Sequence, residues 1–103
     1  MKQVLDEIQR WQDARHRVAL ARVVGVTGSG PRDLGAAMAV NDESEVVGSV
    51  SGGCVEGAVF IAALEVLSSG EARLSAFGYS NDEALAVGLT CGGTIQIFVE
   101  PLN

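Results

Sequence analysis

The sequence predicts a mixed α/β fold, a layered sheet of about five strands covered by helices. Three observations carry this. Apolar residues make up 48% of the 103-residue chain, enough for a packed core. An amphipathic stretch at the start has helical spacing. Five short runs rich in β-branched residues are separated by turn signals.

Residues 2–17 place Val4, Leu5, Ile8 and Trp11 on one face of a helix. Val18 to Val26 reads as a buried strand, rich in valine. Thr27-Gly28-Ser29-Gly30-Pro31-Arg32 reads as a loop on its glycines and proline. Ala36 to Val40 and Val46 to Val50 are predicted strands of a hairpin about the polar turn Asn41-Asp42-Glu43-Ser44. Ser51-Gly52-Gly53 leads into an alanine- and leucine-rich helix, Cys54 to Leu67, stopped by Ser68-Ser69-Gly70. Arg73 to Tyr79 is a further strand, and Asp82 to Val87 a short helix capped by Asn81. Thr94 to Val99 alternates strongly and is ended by Glu100-Pro101. No linker or low-complexity tract interrupts the chain, so one domain over 1–103 is expected.

Charge narrows the function classes. The formal net charge is −6. Most basic residues (Lys2, Arg10, Arg15, Arg17, Arg22) lie at the start, and only Arg32 and Arg73 lie further on. Nucleic acid is therefore not expected as a partner, because phosphate neutralisation needs a basic stripe. Charges break up the first residues before any apolar region, which argues against a signal peptide, and no run suits a membrane span. A cytoplasmic protein with reduced thiols is expected. Cys54 and Cys91, the only cysteines, match no metal-knuckle spacing.

Three glycine-rich segments carry the candidate chemistry. In the first, backbone N–H groups of Gly28, Ser29 and Gly30 can converge on an anion while Arg32 pairs with phosphate or carboxylate. The plain alternative is a turn beside a solvated charge. The segment is neither a P-loop nor a dinucleotide fingerprint, since Pro31 stands where a helix should open. In the second, Ser51, Gly52 and Gly53 precede a helix, so Cys54 falls in its first turn, where free N–H groups and the helix dipole favour a thiolate. Glu56 can reach back to the cap as a capping box, which would partly oppose the thiolate. The third reverses the order, with Cys91 before Gly92 and Gly93. Either cysteine could instead be a small buried hydrophobe. The sole histidine, His16, reads as a solvated helix-end residue, and no Ser-His-Asp or Cys-His arrangement can be assembled.

These motifs taken in order resemble the XdhC/CoxI family. They are Gly28-Ser29-Gly30-Pro31-Arg32 with Gly35-Ala36-x-Met38, then Gly48-Ser49-Val50-Ser51-Gly52-Gly53-Cys54-Val55-Glu56, then Gly88-Leu89-x-Cys91-Gly92-Gly93 and a strand ending Glu100-Pro101. The resemblance implies a maturation factor that binds the molybdenum cofactor, a molybdopterin, as cargo. It implies delivery of the sulfurated form to an apo molybdenum hydroxylase of the xanthine dehydrogenase or CO dehydrogenase type. Cys54 is then the leading functional thiol, with possible contact to molybdenum, and Cys91 the second. The glycine loop with Arg32 suits the pterin phosphate. The likeness is to the N-terminal domain alone, without the Rossmann-like second domain of longer members. Implied partners are the hydroxylase, a cysteine desulfurase and a separate Rossmann-domain chain. A homo-oligomer is expected as well, because closed twofold pairs are the commonest assemblies. Two other readings stay open. One is a sulfurtransferase or thiol oxidoreductase using Cys54, and the other a non-catalytic interaction module.

Overall fold

The structure, a computed structural model, describes residues 2–28, 36–50, 56–78 and 93–102. The elements run α1 (Lys2–Asp13), β1 (Val18–Gly28), β2 (Ala37–Asn41), β3 (Val46–Gly48), α2 (Glu56–Ser69), β4 (Arg73–Gly78) and β5 (Gly93–Pro101). The five strands form one sheet in the order β3-β2-β1-β5-β4, every neighbouring pair antiparallel. The mixed α/β fold expected from the sequence is the fold observed.

The period-2 alternation of the strands separates two cores. Ala19, Ala21 and Val23 of β1 face α2 together with Met38, Val40, Ile95, Ile97 and Val99. Val59, Ala63, Val66 and Leu67 of α2 close that side. Val18, Leu20, Ala37 and Ala39 point the other way and meet Val4, Ile8 and Trp11 of α1. All five residues of β2 are consequently buried, the pattern of a strand covered on both faces.

Several boundaries differ from the sequence expectation, among them the end of β3, at Gly48 instead of Val50, and the end of α2, at Ser69 instead of Leu67. Helix α1 stops at Asp13 instead of continuing to residue 17. Arg15 takes a left-handed conformation (φ 68°), and the N–H groups of Arg15 and His16 donate to the carbonyls of Gln12 and Trp11 at 3.0 and 2.8 Å. This is a helix-ending turn of the Schellman type built without glycine, so composition gave no stop signal. Strand β1 continues through Thr27 and Gly28, which were expected in a loop, because β5 is long enough to pair with them. Strand β5 likewise runs through Pro101, which sits at the strand end, where a missing N–H costs no ladder bond.

Asn41 explains the tight β2–β3 turn. Its buried side-chain oxygen accepts from the N–H groups of Glu43 (2.9 Å) and Glu45 (3.0 Å), and its amide donates to Glu45 at 2.9 Å. The predicted helix at 82–87 lies outside the described residues.

Candidate functional site at one end of the sheet

Antiparallel pairing fixes which ends of the strands lie together. Strand β1 ends at Gly28, β3 at Gly48 and β4 at Gly78, while β2 begins at Ala37 and β5 at Gly93. All five termini lie at the same end of the sheet. Each of the three glycine-rich segments is therefore attached there: residues 29–35 between β1 and β2, 51–55 between β3 and α2, and 79–92 between β4 and β5.

Two candidate residues from different segments are direct partners. Gly28 pairs with Gly93 across β1 and β5, one step beyond Thr27 and Thr94, and Gly78 of β4 pairs with Thr94. The β4-β5-β1 part of the sheet also extends further than its neighbours. Ala37 pairs with Arg22, so β1 runs on to Gly28 past the start of β2, about 20 Å at ~3.3 Å per residue.

The second segment is anchored by a separate set of contacts. Gly48 has φ +85°, and a Cβ there would lie 2.4 Å from the Ala37 carbonyl oxygen and 2.8 Å from Val4 Cγ2. No other residue fits this place without displacing backbone. Ser49 N–H then donates to the Ala37 carbonyl at 3.0 Å, and Val50 is completely buried. Glu56, the first residue of α2, turns its carboxylate back onto this stretch. Its Oε2 accepts from the Val50 N–H at 3.2 Å and from the Ser49 hydroxyl. This reach extends to residues six and seven positions upstream, and the expected capping box involves residues outside the described ones. An acidic group here also faces the positive end of the α2 dipole.

Ser29, Gly30, Arg32, Ser51, Gly52, Gly53, Cys54, Cys91 and Gly92 lie outside the described residues. Gly28 and Gly93 are described as strand residues, and Glu56 as a helix residue. The described part of α2 begins at Glu56.

At the opposite end of the sheet is a polar arrangement that sequence reading missed. His16 Nδ1 lies 2.8 Å from Asp42 Oδ1, and the Arg17 N–H donates to Asp42 Oδ2 at 3.3 Å. This pairing raises the His16 pKa above its ordinary value, with the Asp42 hydrogen bond as the main cause. The Asp42 pKa is lowered, chiefly by the same bond. The only sequence signal was the position of Asp42 in the hairpin turn. Arg17 also donates to the carbonyl of Leu67, a cation on the last turn of α2. None of the described helices is long and apolar enough to cross a membrane.

Comparison with known proteins follows the same motifs. A sequence model of the XdhC and CoxI family matches residues 11–78. The chain is 37% identical over 84 residues to the molybdenum cofactor insertion chaperone PaoD of Escherichia coli (strain K12), covering 82% of this chain and 26% of that protein. It is 31% identical over 96 residues to the uncharacterized protein YqeB of the same organism, covering 93% of this chain and 18% of YqeB. A crystal structure described as a xanthine dehydrogenase from Bacillus halodurans superposes with a TM-score of 0.76 at 28% identity, over 95% of this chain and 30% of that one. The chain therefore spans less than a third of the length of each of these relatives.

Proposed function

Because the chain belongs to the XdhC and CoxI family, we propose that it is a maturation factor that holds the molybdenum cofactor as cargo for insertion into a molybdenum hydroxylase. The observation that carries this reading is the 37% identity, over 82% of the chain, to a molybdenum cofactor insertion chaperone. The strand order supports it, since it turns all three glycine-rich segments toward one end of the sheet, the first leaving from the Gly28–Gly93 tip and returning at the start of β2, beside β3.

In this reading Gly28, Ser29, Gly30 and Arg32 receive the pterin phosphate through backbone N–H groups and a guanidinium. Ser51, Gly52, Gly53, Gly92 and Gly93 let the backbone approach the ring system closely. Cys54 and Cys91 face the soft sulfur-bound metal centre, a match of ligand softness. The cofactor arrives sulfurated with help from a cysteine desulfurase, and the recipient is an apo hydroxylase of the xanthine dehydrogenase or CO dehydrogenase type. We place this exchange in the cytoplasm, and we assign the chain a carrier role in place of a catalytic one. The 26% coverage of PaoD means that a whole chaperone contains more than this domain. A Rossmann-domain partner and self-association belong to the same proposal.

The test is retention of cargo. The purified protein is mixed with molybdenum cofactor under anaerobic conditions and passed over a sizing column. Molybdenum and pterin should elute with the protein in equal amounts. Protein fractions free of both, at micromolar concentrations of each component, would refute the carrier role.

A further inference from the structure

We propose that the half of the sheet left bare beside α1 is an interface for a second copy of this chain, packed against it about a twofold axis. This names the surface for the self-association in the reading above, and it rests on that part of the reading alone.

Strand register defines the surface. Ala37, Arg22, Phe98 and Leu74 are successive partners across β2, β1, β5 and β4, so they share one face of the sheet. Helix α1 covers only part of that face, on Val18, Leu20, Ala37 and Ala39, with Val47 at its border. Among the described residues, none of β4 or β5 joins that cluster. Phe98 is half-buried, and Leu74 and Ala76 are exposed. Strand β4 is also an edge of the sheet, without proline, and an open apolar edge invites association.

Shape and charge both select a second copy as the occupant. A helix layer and the gap between two packed sheets are each about 10 Å thick. An axis parallel to the strands and above β5 brings the two bare halves together. Each α1 then lies beside the other copy's β4 edge and fills the step there. The border of the patch carries one cation and one anion. Arg22 lies over the Phe98 ring, its Cζ 5.9 Å from the ring centroid. Its Nη2 stands 3.8 Å from Glu100 Oε1, longer than a hydrogen bond, and both side chains are partly exposed. In a twofold contact residue i meets j while j meets i. Arg22 of each copy therefore reaches Glu100 of the other, around an apolar centre of Phe98 and Leu74.

Sedimentation velocity with no cargo present tests this. The unaltered protein should dimerise across micromolar concentrations. Leu74 is exposed within one copy, so Leu74→Glu acts on association and spares the fold. It should raise the dissociation constant at least about tenfold. Ile61→Glu, at an exposed position on α2 across the other face, should dimerise like the unaltered protein. Arg22→Glu and Glu100→Arg should each weaken association about tenfold. Their mixture should restore it, because every such contact in the mixed dimer joins opposite charges. Trp11 fluorescence checks folding. If a charge reversal fails to fold, Leu74→Glu against Ile61→Glu decides the matter. Monomers at every concentration overturn the interface and leave the face to a different polypeptide. So does a Leu74→Glu protein that still dimerises, or a mixture no tighter than its components. A dimer that retains no cargo sinks the carrier role and leaves the interface standing.

Discussion

Gly28 and Gly93 face each other across strands β1 and β5 at the end of the sheet where the glycine-rich segments attach. They lie far apart in sequence, in the first and third motifs, and the sheet order makes them neighbours. Neither residue of the pair carries a side chain beyond hydrogen. Gly93→Val should therefore obstruct any ligand at this tip, while a β-branched residue is well accommodated by the ladder itself. The expected outcome is loss of molybdenum and pterin retention at an unfolding midpoint close to that of the unaltered protein. Full retention in Gly93→Val would move the cargo site away from the tip.

Gly48 sets a second, purely structural limit. Its φ of +85° strains any side-chain-bearing residue, and an added Cβ would meet the Ala37 carbonyl oxygen at 2.4 Å. A left-handed non-glycine residue costs about 1–3 kcal/mol, and the backbone clash raises this further. Gly48→Ala should lower the urea midpoint accordingly, followed by Trp11 fluorescence. A midpoint within error of the unaltered protein would mean that β3 turns differently in solution.

The sheet's two cores predict a contrast between strand neighbours. Ile97 is completely buried against α2, whereas Leu74 on the edge strand is 61% exposed. Ile97→Ala should cost about 2–5 kcal/mol, a buried-aliphatic truncation with its cavity. Leu74→Ala should change stability by only ~0.5 kcal/mol. Equal losses at the two positions would show that a further surface covers Leu74.

His16 and Asp42 give the domain a pH dependence with two limbs. The His16 pKa is raised, first by its hydrogen bond to Asp42 and then by the charges of Asp42, Glu43 and Glu45. Its contribution is fully present below the ordinary histidine value of about 6.5 and fades as pH rises through the raised folded value. The Asp42 pKa is lowered by His16 first and by the Arg17 N–H second. Its contribution is present above the ordinary aspartate value of about 3.9 and fades as pH falls through the lowered one. The pair thus helps most between about pH 4 and pH 6.5. Both groups are solvent-accessible and screened, so the effect on total stability is small. The clean readout is the proton NMR titration of His16, the only histidine. Its midpoint should fall toward the ordinary value in Asp42→Asn. An unmoved midpoint would show that the pair does not form in solution.

The legibility of this fold was uneven for physical reasons. Strands and helix faces announced themselves because burial imposes a period on the side chains, as with Ile95, Ile97 and Val99. The end of α1 did not, because Arg15 adopts a conformation usually signalled by glycine. The length of β1 was also hidden. Gly28 is a poor strand former, the glycines and proline that follow Thr27 signal a loop, and the pairing of Thr27 and Gly28 with Thr94 and Gly93 extends the strand through them. The glycine motifs could be picked out one at a time, but their common end followed from strand order, a property of long-range pairing. The reach of Glu56 to Val50 was equally invisible, since it depends on how β3 and α2 meet in space.

The last expectation concerns Cys54. In the sequence it falls two residues before Glu56, the first described residue of α2, and the expectation is that helix N–H groups and the dipole favour a thiolate there. The Glu56 carboxylate works against this, but its charge is already engaged by two donors, which softens the opposition. Limiting iodoacetamide near neutral pH should therefore modify Cys54 before Cys91, as read by peptide mass mapping. Cys54→Ser should abolish cargo retention with the fold intact, because serine is similar in size and suits a helix start. Cys91→Ser should weaken retention less. Preferential labelling of Cys91, or full retention by Cys54→Ser, would make Cys54 a packing residue and leave Cys91 as the functional thiol.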